Sequence, residues 1–488
     1  MTGADHATAD TPRLDALRDI VGDDGVSVDV DERAAHGRDC WPRLIMAERA
    51  GHASPGPDAV VWPASHDQAA ALYGWATAEG VALVPYGGGG GVCGGAAAPP
   101  ATVAVDTKRL AHLGPLDDTS GLVSAGPGVI GQTAEEWLGV RGWTLGHFPS
   151  SITLSSLGGF AAARSAGQAS TKYGVFADMV AGMTAVLPDG STLQRRPVPA
   201  TAAGPDLTGM LLGSEGALGL ITDLVLRVRP KPAASRYAAW QLPTFAAGLD
   251  AVRTVLQQDL RPAVVRLADE TETAMGGFEV EGCLLVCVAE GHEGVAVAEI
   301  DALADAAHAV GGTWLGEEPA RHWHAHRYDV SYQLADAAKP GGMLGDASVV
   351  DTLEIAAPWR ELPEAYARVR QALAAHMDVV ACHASHAYPD GAALYFTLAG
   401  VGDGDETHAR ARYDAAWHDA MDAALAAGAT ISHHHGVGRL RGGWLTAELG
   451  DGGMAALRAI QGALDPAGVA NPGGLGLGGG GQGPKGRR

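Results

Sequence analysis

Apolar positions recur at helical spacing between Ser65 and Gly80, where Leu72, Trp75 and Ala76 share one face. Ser65 with Gln68 three residues on is a capping-box pattern, and Gly80 suits a left-handed helix end, so a helix is predicted between them. Val81-Ala-Leu-Val84 then reads as a strand, and Gly87 opens an unbroken glycine run to Gly91. Thr102-Val-Ala-Val-Asp106 reads as the next strand, so the order is helix, strand, glycine loop, strand. Residues 121–233 carry short apolar runs split by glycine, serine and proline, the pattern of α+β structure. Among them Leu220–Val228 is a strand, and Pro230 and Pro232 close the unit. From Ala234 glycine thins out and alanine-rich helical patterns appear over 291–310 and 404–428, which predicts a second domain. Between Ile431 and Pro472 glycine, histidine and proline return at close spacing, as in a chain coming back to a site on the first domain. The expected division is an N-terminal arm (1–54), a first domain (55–233), a second (234–430), a returning segment (431–472) and a flexible glycine-rich tail with no packed role (473–488).

Composition narrows the partners. The 488 residues carry a net charge of −22, which argues against nucleic acid or an anionic membrane surface. No apolar run approaches the ~20 residues that span a bilayer, and the first twenty residues lack a secretory pattern. The five cysteines, Cys40, Cys93, Cys283, Cys287 and Cys382, are odd in number and scattered, so no disulfide framework is implied and a reducing, cytoplasmic setting is expected. A small molecule is the expected partner, and a homodimer is left open.

Gly89-x-Gly91-x-x-Gly94 matches the dinucleotide fingerprint, but only Ala96-Ala-Ala-Pro-Pro100 separates it from the next strand. That leaves no room for the crossover helix such a fingerprint must open. A glycine loop between strands can still cradle phosphate, because bare N–H groups converge on an anion without side-chain clash. Two further clusters follow, Pro149-Ser-Ser-Ile-Thr-Leu-Ser-Ser-Leu-Gly-Gly159 and Gly213-Ser-Glu-Gly-Ala-Leu-Gly219. Three such loops without a Rossmann unit fit a large cofactor with phosphates and a ring system, and FAD is the natural candidate.

These three loops, together with Ser432-His-His-His-Gly-Val-Gly-Arg-Leu440, resemble the vanillyl-alcohol-oxidase/PCMH flavoproteins, and within them most closely the alkyldihydroxyacetonephosphate (alkylglycerone-phosphate) synthase branch. The likeness runs from about residue 30 to 472. It implies an α+β fold: a two-subdomain PCMH-type FAD-binding domain, an α+β cap domain, and a C-terminal segment returning to the flavin. Carried over, the FAD contacts fall on Pro85, Tyr86, Gly87, Gly88, Gly89, Gly90 and Gly91; on Ser150, Ser151, Ile152, Thr153, Leu154, Ser155 and Ser156; on Ala163, Arg164, Ser165 and Ala166; and on Glu215, Gly216, Ala217, Leu218, Gly219, Leu220 and Ile221. No histidine lies between Tyr86 and Gly95, so non-covalent FAD is expected, and Cys93 reads as a buried structural thiol.

The resemblance also implies the chemistry residues. Tyr395, in the strand-like Ala392-Ala-Leu-Tyr-Phe-Thr-Leu398, matches the general acid/base of the synthase branch. A tyrosine with an ordinary pKa near ~10 needs a nearby cation or donor for that work, which His433, His434 and His435 are expected to supply. Consecutive histidines diverge in any regular structure and make a poor single-metal site. Tyr388, Tyr395 and His434 stand where metal-dependent D-2-hydroxyacid dehydrogenases have their ligands, so no catalytic metal is expected. Arg266 matches an arginine facing the synthase site. Pro340 stands where the branch grips substrate phosphate with arginine, with Lys339 beside it as a substitute point charge. The leading expectation is therefore an FAD-dependent oxidoreductase taking hydride from a small organic substrate. The alternative is the synthase reaction, an alcohol displacing an acyl group through a flavin N5 adduct with no net redox. A D-2-hydroxyacid dehydrogenase and a non-catalytic flavin-binding protein stand further back.

Overall fold

The computed structural model describes residues 11–278, 280–329 and 336–477. The Ser65 hydroxyl accepts from the Gln68 N–H and Gly80 closes the helix His66–Glu79 in the left-handed region, so both end signals act as read. The Gln68 side chain accepts from Ala64 N at 2.7 Å, one residue outside the ideal box.

Three larger sheets carry the fold. The first has four strands in the order Val26–Ser27, Ala59–Val61, Thr102–Asp106, Ala82–Tyr86, the last three parallel. Within the N-terminal arm, the strand Val26–Ser27 extends this sheet. Pro85 is tolerated because Ala82–Tyr86 is the outer strand. The returning chain covers that edge, with Leu83 N donating to Val469 O and Asn471 N to Leu83 O. The second sheet is antiparallel, in the order Leu113–Asp117, Leu122–Ala125, Leu220–Arg227, Val180–Val186, Thr192–Arg195.

The third sheet is antiparallel and seven-stranded, in the order Thr313–Gly316, Ala234–Leu242, Cys283–Gly291, Val264–Ala268, Val379–Ser385, Gly391–Gly400, Val349–Pro358. Strand alternation turns one face of this sheet into the main core. Leu267, Cys382, Phe396 and Leu353 on that face join one buried core with Leu249, Val252, Leu303, Val369, Leu373, Tyr413 and Trp417 from the helices Phe245–Leu256, Glu293–Ala309, Leu362–Ala374 and Glu406–Ala426. The helical patterns read at 291–310 and 404–428 correspond to the second and fourth of these. All five cysteines are unpaired, and Cys93 is buried. The tail departs from expectation at its start: Leu475 and Leu477 are buried in the same core, because their apolar side chains pack where the chain returns. Residues 478–488 of that tail lie outside the described residues.

Candidate active site

The polar face of the seven-stranded sheet builds the site. Directly opposed residues of antiparallel strands point the same way. Glu354 pairs with Tyr395 and Tyr395 with His383, so three polar side chains stand in a row across three strands. His383 pairs with Ala268, and Arg266, two residues along, shares that face. The neighbours Leu353, Phe396, Cys382 and Leu267 point into the core instead.

The histidine segment reaches this row through Thr430, whose N–H donates to Ala356 O at 2.8 Å beside the sheet edge. Glu354, with no exposed surface, then captures it. Its carboxylate accepts from the successive N–H groups of His433, His434 and His435, the last two at 3.3 and 3.0 Å, and from the Ser432 hydroxyl at 3.0 Å. Successive N–H groups converging on one anion form a nest, and the chain must curl to make it. Arg441, also fully buried, donates to the same carboxylate at 2.6 Å, to the Ser432 hydroxyl at 2.7 Å and to Gly436 O at 2.9 Å. Burial works against the Glu354 charge, but Arg441 and the surrounding donors overcome it and hold the carboxyl down at about 2. Two residues further, Glu215 accepts from Val437 N at 2.7 Å and Gly438 N at 2.8 Å. Gly436 and Gly438 have positive φ, and a Cβ at Gly436 would sit 2.5 Å from the Glu215 carboxylate, so glycine is required there.

Because the segment curls, the histidines do not diverge as a regular structure would make them. His433 Nδ1 and His434 Nδ1 are 3.1 Å apart, and the His434 and His435 ring centroids 4.4 Å. The Tyr388 hydroxyl lies 3.0 Å from His433 Nε2, making a chain Tyr388–His433–His434. His386 packs 4.8 Å from His434 and is fixed by Ser170 Oγ at 2.7 Å from its Nδ1. Tyr395 stacks between His383 (4.9 Å) and His434 (6.0 Å).

Burial lowers the proton affinity of all three consecutive histidines, His435 to about 4 and His434 well below its ordinary range. They are neutral at pH 7. Burial likewise pushes the Tyr395 phenol up to about 12. Of the cation or donor expected from His433, His434 and His435, desolvation removes the cation, and neutral imidazole N–H groups are what remain to serve Tyr395. Arg266 is tied to Glu272, and its Nη1 donates to His383 Nε2 at 2.8 Å. Lys339 points to solvent and pairs with Asp336 at 3.2 Å, so it does not stand in for a buried phosphate-gripping arginine.

The glycine loops meet the same segment from the other side. Among the described residues, no backbone N–H of Gly87–Gly91 donates within the chain. The loop lies directly on the serine cluster: a Cβ at Gly88 would be 1.8 Å from Leu154 O, and one at Gly87 2.4 Å from Ser156 Oγ. Pro85 and Tyr86 end the strand before it. Ser150–Ser155 form turns, with Ile152 buried and Thr153 and Leu154 exposed, and Ser156 caps the helix Leu157–Ala163 through Gly159 N. That helix ends with Arg164 in the left-handed region, Ser165 bonded to His147 at 2.9 Å and Ala166 buried. Glu215 N and Gly213 N donate to Ala162 O and Ala161 O, which seats the third cluster on the helix end, and Ala217 to Ile221 run buried into the strand. Arg439 N and Leu440 N donate to Cys93 O, joining the histidine segment to the end of the first glycine loop.

Residues 57–195 match the family model for an FAD binding domain, and residues 231–475 match that for FAD linked oxidases, C-terminal domain. The chain belongs to the FAD-linked oxidase family. It is 30% identical to an alkyldihydroxyacetonephosphate synthase of Trypanosoma brucei brucei over 95% of this chain and 80% of that one. It is 28% identical to an uncharacterized FAD-linked oxidoreductase of Escherichia coli (strain K12), over 94% and 97%. A solved alkyldihydroxyacetonephosphate synthase structure superposes with a TM-score of 0.79 at 25% identity, covering 96% of this chain and 86% of that one. This member of the family is an enzyme with a PCMH-type α+β fold and FAD as its cofactor. The residues present fit that group: the glycine N–H groups without a backbone partner would serve as donors to its phosphates, and Cβ-intolerant glycines keep them bare. No helix among the described residues is long and apolar enough to cross a membrane.

Sequence reasoning passed over Glu272, Glu354, His383, His386 and Arg441. Glu354 had a signal, a carboxylate between Leu353 and Ile355 in a largely apolar strand. Glu272 and His383 had none, because sheet register brings His383 to Arg266 and the turn into the helix Glu270–Met275 brings Glu272.

Proposed function

We propose that this FAD-linked oxidase oxidises a small organic substrate held between the FAD-binding domain and the polar face of the large sheet. The observation that carries the reading is the chain of neutral side chains Tyr388–His433–His434, a proton acceptor ready at pH 7. Bound FAD supplies an acceptor for hydride from the substrate C–H bond. The O–H or N–H proton released in the same oxidation passes to the uncharged imidazole of His434, and His433 and Tyr388 stabilise the cation formed by reorienting their hydrogen bonds. Tyr395, its phenol protonated, donates a hydrogen bond to the substrate heteroatom. Glu354 holds the histidine backbone in place through this transfer.

The likeness to alkyldihydroxyacetonephosphate synthases favours a second reading, ether formation without net redox. The test supplies an acyl-dihydroxyacetonephosphate and a fatty alcohol under anaerobic conditions, alongside a panel of alcohols and amines, and follows flavin colour and products together. Substrate-dependent bleaching reversed by oxygen or a dye supports the oxidase reading. Ether product with no electron acceptor overturns it.

A further inference from the structure

Arg266 shares the sheet's polar face with the Tyr395 stack, and its charge is already paired with a carboxylate. One of its terminal nitrogens pairs with Glu272 Oε1, and Nη1 donates to His383 Nε2 at 2.8 Å. A guanidinium has no acceptor, so His383 Nε2 must be unprotonated and its hydrogen must sit on Nδ1. That hydrogen is donated to Glu272 Oε2 at 2.9 Å. The three side chains close a ring with one positive charge, one negative charge and one neutral imidazole. The His383 ring in turn stacks on Tyr395.

Glu272 is not a mobile surface carboxylate. The helix Glu270–Met275 that carries it starts at Asp269, whose side chain accepts from Glu272 N at 2.8 Å. Thr273 of the same helix is buried and accepts from Leu284 N at 3.1 Å. The Glu272 side chain is 16% exposed and that of Arg266 20%, so water screens the pair little. An anionic group arriving here would displace a fixed carboxylate from its arginine and meet it as a like charge.

Resting on the oxidase reading, we infer that Glu272 sets the charge specificity of the site: by neutralising Arg266 it makes this wall neutral, so the substrate group that faces it is uncharged and carboxylates and phosphates are disfavoured. Glu272 acts through Arg266 and is a specificity-determining residue, with no part in proton transfer.

The experiment titrates FAD-loaded wild type, Glu272→Gln, Glu272→Asp and the double variant Glu272→Gln/Arg266→Met with inorganic phosphate and with glycolate at fixed ionic strength. Perturbation of the flavin visible spectrum and calorimetry report binding without any turnover. Glu272→Gln is expected to bind both anions roughly ten- to a hundredfold more tightly than wild type, the range of one charge-assisted contact. Glu272→Asp, withdrawn by one methylene, gains less, and the double variant returns to the wild-type value. Such a gain does not arise from structural damage. Wild-type binding as tight as that of Glu272→Gln, or a gain that survives loss of Arg266, overturns the inference. If Glu272→Gln does not retain FAD, Glu272→Asp decides, a gain supporting and no gain overturning. Absence of any bleaching substrate would defeat the oxidase reading and leave this titration intact.

Discussion

Glu354→Gln is the substitution with the most calculable cost. The glutamine keeps the shape of the side chain but removes a charge that three N–H groups, Ser432 and Arg441 all face. The carboxyl sits at about 2 in the fold against an ordinary 4.5. That difference is equivalent to about 3 kcal/mol of stability at neutral pH. An independent route gives a similar figure, since breaking a buried ion pair costs about 3–5 kcal/mol by stranding the remaining charge. Arg441, with no exposed surface, would be that charge. Because the folded value is depressed, the stabilisation is complete above the ordinary value and is lost as pH falls toward the folded one. Denaturant unfolding of the FAD-loaded pair should therefore show a gap of about 3 kcal/mol at pH 7 that is clearly smaller near pH 3.5. A gap below about 1 kcal/mol at pH 7, or one equal at both pH values, would refute the electrostatic account of the histidine nest.

Three other outcomes are expected. Acid precipitation should release the flavin into the supernatant, since no histidine lies in the first glycine loop; flavin kept in the pellet would contradict non-covalent binding. Gly88→Ala should abolish FAD retention with the sheets intact, because the new Cβ would fall 1.8 Å from Leu154 O, and a yellow variant would disprove the loop packing. His434→Gln should slow flavin reduction by ~10²–10⁴-fold as the loss of a positioned base, and Tyr395→Phe by roughly tenfold as the loss of one hydrogen bond, with stopped-flow bleaching as the measure. The reverse ranking would return the base role to Tyr395.

What could be read in the chain was what depends on neighbours in sequence. The Ser65 and Gly80 ends, the strand Thr102–Asp106 and the three glycine clusters each carry their signal within a few residues. The histidine run was visible, but its charge state was not, because desolvation is set by strands more than thirty residues away. Register places Glu354 beside Tyr395, and the short helix Glu270–Met275 turns Glu272 back onto Arg266, neither of which local sequence shows. Leu475 and Leu477 were hidden by the glycines around them, since a low-complexity composition says nothing about two apolar side chains with a core to enter.

One stretch of chain is gripped at both ends by different parts of the molecule: Glu354 of the large sheet holds residues 433–435, and Glu215, beside the flavin loops, holds 437 and 438. Gly436 is the sole link between the two grips, too short to carry slack. Any tilt of the large sheet against the flavin loops must therefore drag the histidines with it or tear one grip open. On the proposed role of these histidines, their alignment and the orientation of the large sheet become a single mechanical coordinate, and a ligand that wedges the sheet from the loops would inhibit without touching a reacting atom.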